Sequence, residues 1–171
     1  IAISGALSDP TDSLELGGQA HMSRVIGTDL FTANSADPEM RVFDMNMNQV
    51  RDYDAPLTLG NGKSVLSLYP YVVLGRTLGS GELTLLDTST TTITVADTAR
   101  TNGSVDYLQP TNNPNSFMAL TSNADKEIQF WKISDNTRLD FVNSINLPGR
   151  VTAYACVTHS IYATMKKKKK P

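Results

Sequence analysis

Turn-forming residues break the chain at short, regular intervals from residue 40 onward, and this feature most constrains the fold. Asn61-Gly62, Gly79-Ser80-Gly81, Asn102-Gly103, Asn112-Asn113-Pro114-Asn115, Ser134-Asp135-Asn136 and Pro148-Gly149 leave runs too short for packed helices. The runs at 40–47, 64–69, 71–75, 82–86, 91–96, 104–108, 117–121, 127–133 and 139–145 are rich in β-branched and aromatic residues. Strands at this spacing, with no helical period between them, predict an all-β chain. The last run, 150–164, alternates strictly and predicts one long half-buried strand, on the order of 45 Å at about 3.3 Å per residue. Residues 1–39 carry Asp9-Pro10, Gly17-Gly18 and Asp37-Pro38 and read as an irregular arm with loops.

Gly62-Lys63-Ser64 has the letters of a phosphate-binding loop. Such a loop needs a glycine five residues before Gly62, and that position holds Leu57. It must also open a helix, whereas Val65 to Tyr69 favours a strand and Pro70 blocks a helix. Thr58-Leu59-Gly60-Asn61-Gly62 is echoed nineteen residues later by Thr77-Leu78-Gly79-Ser80-Gly81, with Glu82 in the place of Lys63. A carboxylate there repels phosphate, so both stretches read as hairpin turns without nucleotide affinity.

At 171 residues the chain is one domain by default. With Cys156 as the single cysteine there is no intrachain disulfide, so stability comes from packing or assembly. Five of the fifteen basic residues are Lys166 to Lys170; the remainder carries ten against seventeen acidic residues, a formal −7. A block of like charge on an acidic body reads as an interaction arm. Lys166, Lys167, Lys168, Lys169 and Lys170 are therefore the candidate nucleic-acid-binding residues, acting through phosphates without reading bases.

The remaining candidates for chemistry are weak. Cys156 and His159 lie three apart on one predicted strand and point to opposite faces, so they form no thiol–imidazole pair. One cysteine and two histidines supply no zinc set. Asp44, Asp52 and Asp54 are close in sequence, and Asp52 and Asp54 share a face if extended, but no calcium-loop pattern surrounds them. Trp131 reads as core or interface, with a sugar-stacking platform as the alternative, and Tyr69 and Tyr71 as companion aromatics. Asn102-Gly103-Ser104 reads as a turn before a glycosylation acceptor. These readings predict no enzyme, no metal and no cofactor.

The layout of a Thr/Ser/Asn-rich β body, an irregular arm and a lysine block resembles the coat proteins of small icosahedral viruses, satellite viruses especially. That resemblance implies an eight-stranded jelly-roll sandwich over 40–165, an arm over 1–39 and a basic tail over 166–171 facing packaged RNA or DNA. It implies a homo-oligomeric shell and a place in the virion, with no membrane and no small-molecule substrate. In those families the basic segment is usually N-terminal, whereas here it is C-terminal. A phage decoration, tail or fibre subunit is the nearest variant, and a secreted carbohydrate-binding or adhesion module the reading from another class.

Overall fold

The computed structural model describes residues 19–167 except 45, 47, 55–59, 78, 136, 158 and 159. Its elements are strands: β1 (Ala20–Ile26), β2 (Asp29–Asn34), β3 (Met40–Phe43), β4 (Gln49–Tyr53), β5 (Gly62–Leu68), β6 (Tyr71–Arg76), β7 (Leu83–Asp87), β8 (Thr94–Ala99), β9 (Val105–Pro110), β10 (Ser116–Thr121), β11 (Ile128–Ser134), β12 (Arg138–Ile145), β13 (Gly149–Val157) and β14 (Ser160–Lys167). Every pairing is antiparallel and sequential. Strands β1–β4 form sheet I, β5–β8 sheet II, β9–β12 sheet III, and β13–β14 a hairpin.

The all-β expectation holds. The eight-stranded jelly roll does not describe this arrangement. A jelly roll brings strands distant in sequence side by side, whereas each sheet here is a meander of four consecutive strands. Residues 20–34, expected within the irregular arm, form β1 and β2, and a fourth strand, β4, follows β3. The run at 150–164 is two strands, with Val157 opposite Ser160. Nothing in Thr158-His159 marks a turn, and a period of two continues by count whether the chain runs straight or reverses.

Burial explains why the sheets stack. In β6 the run Val72-Val73-Leu74 is buried on both faces. Val72 and Leu74 join Phe31, Met40 and Val42 of sheet I in one apolar cluster. Val73 joins Leu108, Phe117 and Trp131 of sheet III in another. A third cluster, Met118, Leu120 and Ile128, carries Val151 of β13 against the far face of sheet III. Sheet II is thus a filled layer between its neighbours, and continuous apolar runs replace alternation where both faces are covered.

The stack is a repeat. First strands begin at Ala20, Gly62, Val105 and Gly149, an interval of 42 to 44 residues. Neighbouring sheets approach along those first strands, β1 to β5 and β5 to β9. Arg24 of β1 reaches past sheet II to the Leu108 carbonyl at 3.1 Å. Four-stranded meanders repeated at this interval, with their first strands gathered together, are arranged as the blades of a β-propeller are.

Candidate functional site

Antiparallel meanders have two ends. At the link end lie the β2–β3, β6–β7 and β10–β11 turns and the connections from sheet to sheet. At the turn end lie the β1–β2, β5–β6, β3–β4 and β7–β8 turns. Each end holds one group of polar side chains that bears on function.

At the link end each sheet places a buried glutamate at the same point, just before its third strand: Glu39, Glu82 and Glu127. Their carbonyls accept from the N–H groups of Asn34, Arg76 and Thr121 at 2.8, 2.8 and 2.7 Å, so the three turns superpose in bonding. The Glu82 carboxylate accepts the Gly79 N–H at 3.1 Å and the Thr101 N–H at 3.0 Å. The Glu127 carboxylate accepts the Leu147 N–H at 3.0 Å. Each ties its own turn or sheet to the connection leaving the fourth strand. A buried carboxylate without such donors would be costly.

Glu39 does something different. Its Oε1 accepts from Arg76 Nη2 at 3.3 Å, and both side chains are fully buried. Arg76 Nε donates to the Gly60 carbonyl at 2.8 Å, where Gly60 has φ +84°. Burial pushes the Arg76 guanidinium down, opposed by Glu39 and then by Tyr53. Burial pushes the Tyr53 phenol up, opposed by the Arg76 charge. Carboxylate oxygens of Asp37, Glu39 and Asp54 all lie within 4.8 Å of one another. Asp54 is the one member of the predicted Asp44, Asp52 and Asp54 group brought here. Asp44 instead accepts the Asn46 and Asn48 N–H groups at 2.8 and 2.9 Å, and Asp52 accepts from Gln49 at 3.0 Å. With a guanidinium already against Glu39, the cluster works as a lock between sheets I and II.

At the turn end a cleft of about 390 Å³ opens between sheets I and II. Phe31, Val72 and Ile26 form an apolar floor, and Asp29, Arg51, Thr88 and Tyr69 stand at its rim. Arg51 Nη1 donates to the Thr88 and Thr90 carbonyls at 3.1 and 3.2 Å, and Nη2 to Asp29 Oδ2 at 3.3 Å. Thr88 Oγ1 donates to the Pro70 carbonyl at 2.8 Å. Tyr69 is 85% exposed, the most exposed large hydrophobic side chain among the described residues. The volume lies within the range of ligand pockets, about 300–1,000 Å³. Only Tyr69 of this set was singled out from sequence. Phe31, Arg51 and Asp29 come together with it only because sheets I and II stack.

The other predicted residues fall as follows. Lys63 lies inside β5 and ion-pairs with Asp106, and Gly60–Asn61 is the link between sheets rather than a hairpin. The two echoed stretches touch: the Asn61 N–H donates to Thr77 Oγ1 and the Thr77 N–H to the Asn61 carbonyl, both at 2.9 Å. Trp131 is core, edge-on to Phe141 at 5.4 Å, with its indole N–H on Gln129 at 3.2 Å. Tyr71 packs against the same apolar cluster while Tyr69 is exposed, so Trp131, Tyr69 and Tyr71 do not form one exposed platform. Asn102 has φ +57°, the conformation a turn requires. Lys166 and Lys167 belong to β14, opposite Arg150 and Gly149. Lys168 to Lys170, His159 and the side chain of Cys156 lie outside the described residues.

No protein-family model matches the chain, and no curated protein matches it. Solved structures do. The computationally designed Ika4 protein superposes with a TM-score of 0.69 at 15% identity, over 94% of this chain and 94% of that one. A chain in a crystal structure of the Mitotic Checkpoint Complex superposes with a TM-score of 0.66 at 14% identity, over 81% of this chain and 43% of that one. At these identities the likeness is one of fold.

Proposed function

We propose that the chain is a non-catalytic, propeller-type scaffold that binds other macromolecules at its turn end. The observation that carries this reading is the use made of the buried ionisable groups. Glu39, Glu82, Glu127 and Arg76 all hold turns and links together, while the open cleft at the turn end is left with exposed Tyr69 at its rim. A rigid stack with exposed turns is a frame on which binding residues are carried by loops. That one structural neighbour is a chain in a multi-protein complex agrees with this role.

Hydrogen–deuterium exchange of the full chain, with and without fractionated extract of its source cells, tests it. Protection is expected at 27–29, 67–72 and 88–90. Protection confined to the link end, or none at any fraction, would count against the reading.

Self-association, expected for a shell-forming coat protein, is a second reading. Phe141, Val142 and Ile145 are 45%, 55% and 39% exposed on β12, the edge strand of sheet III. An apolar edge without Lys or Pro at its centre invites pairing with another copy. Light scattering over a hundredfold concentration range decides it, a constant monomer mass being the adverse result. No comparison points to a virion, and the coat role stands on the sequence resemblance alone.

A further inference from the structure

We infer that the turn-end cleft is a receptor for a lysine side chain on a basic peptide segment of a partner. This rests on the binding-scaffold reading and adds the chemistry of what is bound.

The argument is an inventory of donors and acceptors. The rim's strong donor is already engaged: Arg51 gives its Nη groups to Thr88, Thr90 and Asp29. The Thr88 hydroxyl is given to Pro70, and the Thr28 hydroxyl lies 3.3 Å from Asp29 Oδ1. What remains at the rim is acceptor capacity on Asp29, together with the Ser67 and Tyr69 hydroxyls, which accept as well as donate. A carboxylate offers about four lone-pair sites, and among the described residues Asp29, with its side chain 29% exposed, meets the Thr28 and Arg51 donors. A ligand that uses the remaining Asp29 lone pairs must bring donors. An ammonium group brings three donors and no acceptor.

The apolar floor suits the same ligand. Phe31 and Val72 are almost fully buried beneath the cleft. A lysine stem lies along such a surface while its charged head stays at the rim. The Tyr69 ring, projecting into solvent at the same rim, offers a face to a cation. Long-range attraction acts in the same sense, since the chain outside Lys166–Lys170 carries a formal −7.

The test is titration of the full chain with acetyl-Ala-Lys-Ala-Lys-Ala-amide, followed by amide NMR shifts. The same peptide with norleucine, and then with glutamate, in place of lysine serves for comparison. Shifts are expected at Thr28, Asp29, Ser67, Tyr69 and Thr88 with the lysine peptide, falling as salt is raised. Asp29→Asn should weaken binding about tenfold. Tyr69→Leu should weaken it about three- to fivefold. Tyr69 packs on little, so this variant decides the matter if Asp29→Asn disturbs the turn. Equal binding of the norleucine peptide, preference for glutamate, shifts mapping elsewhere, or no binding at all overturns the inference. A natural partner that binds with undiminished affinity to Tyr69→Leu and Asp29→Asn would sink this site and leave the scaffold reading standing.

Discussion

Glu39 and Arg76 form an ion pair between sheets I and II, 3.3 Å apart, with neither side chain exposed to solvent. Glu39 precedes the third strand of one sheet, and Arg76 ends the second strand of the next. The pair therefore reports on stacking and not on the folding of either sheet. Taking one charge away leaves the other buried and uncompensated, which costs about 3–5 kcal/mol. Arg76→Met and Glu39→Gln are each expected to lower the unfolding free energy measured by urea denaturation by that amount. The double variant should recover much of the loss, because two apolar or neutral groups need no mutual compensation. Additive losses in the double variant would show that the two side chains act separately.

Gly75 of β6 sits against Val105 of sheet III. A Cβ on it would collide with Ser64 Oγ and meet Val105 Cγ1 at 2.6 Å. Gly75→Ala is expected to destabilise by about 1–3 kcal/mol through overpacking. Thermal unfolding checks it. Gly27→Ala, with nothing near its Cβ, is the contrast: its cost is confined to the strain of φ +63°.

Three partly exposed aspartates contribute to acid stability. Asp140 is held at about 2, first by its hydrogen bond from Arg138 and then by that from Ser134. Asp44 and Asp87 are lowered by hydrogen bonds from Asn48 and Ser89. A carboxylate whose folded pKa lies below its unfolded value stabilises the fold above the unfolded pKa. That contribution fades as pH falls through the folded pKa. The melting temperature should therefore hold above pH 4 and drop between about pH 4 and pH 2. Asp140→Asn should flatten the drop.

Tyr53 works in the opposite direction. Its folded pKa is raised by burial, so its contribution is present below the ordinary phenol value and is lost as pH rises through the folded one. Alkaline difference spectra should show one tyrosine ionising later than the rest. Tyr53→Phe should remove that late phase.

Lys166 to Lys170 should bind polyanions without sequence preference. Five phosphate contacts imply a slope of roughly −3.5 to −4.5 in log K against log salt. Filter binding with two unrelated nucleic acids measures both points. Because Lys166 and Lys167 belong to β14, removing 168–171 is the cleaner deletion. A slope unchanged by it would place polyanion binding elsewhere.

What the sequence determined by itself was local. Asn and Gly at turns, β-branched runs between them and the absence of a helical period establish an all-β chain, because turn conformation and pleat depend on neighbouring residues. The same reasoning kept Lys63 out of a phosphate loop and Trp131 in the core. Tertiary structure alone decided which strands share a sheet and how sheets stack. Glu39, Glu82 and Glu127 recur at 43 and 45 residues, but a lone glutamate before a strand carries no mark of being buried. Val72-Val73-Leu74 reads as one more apolar strand until its two faces meet sheets I and III. Asp29 and Arg51, 22 residues apart, meet Tyr69 across a boundary between sheets. Such juxtapositions arise from burial of whole faces, a non-local effect that no window of sequence contains.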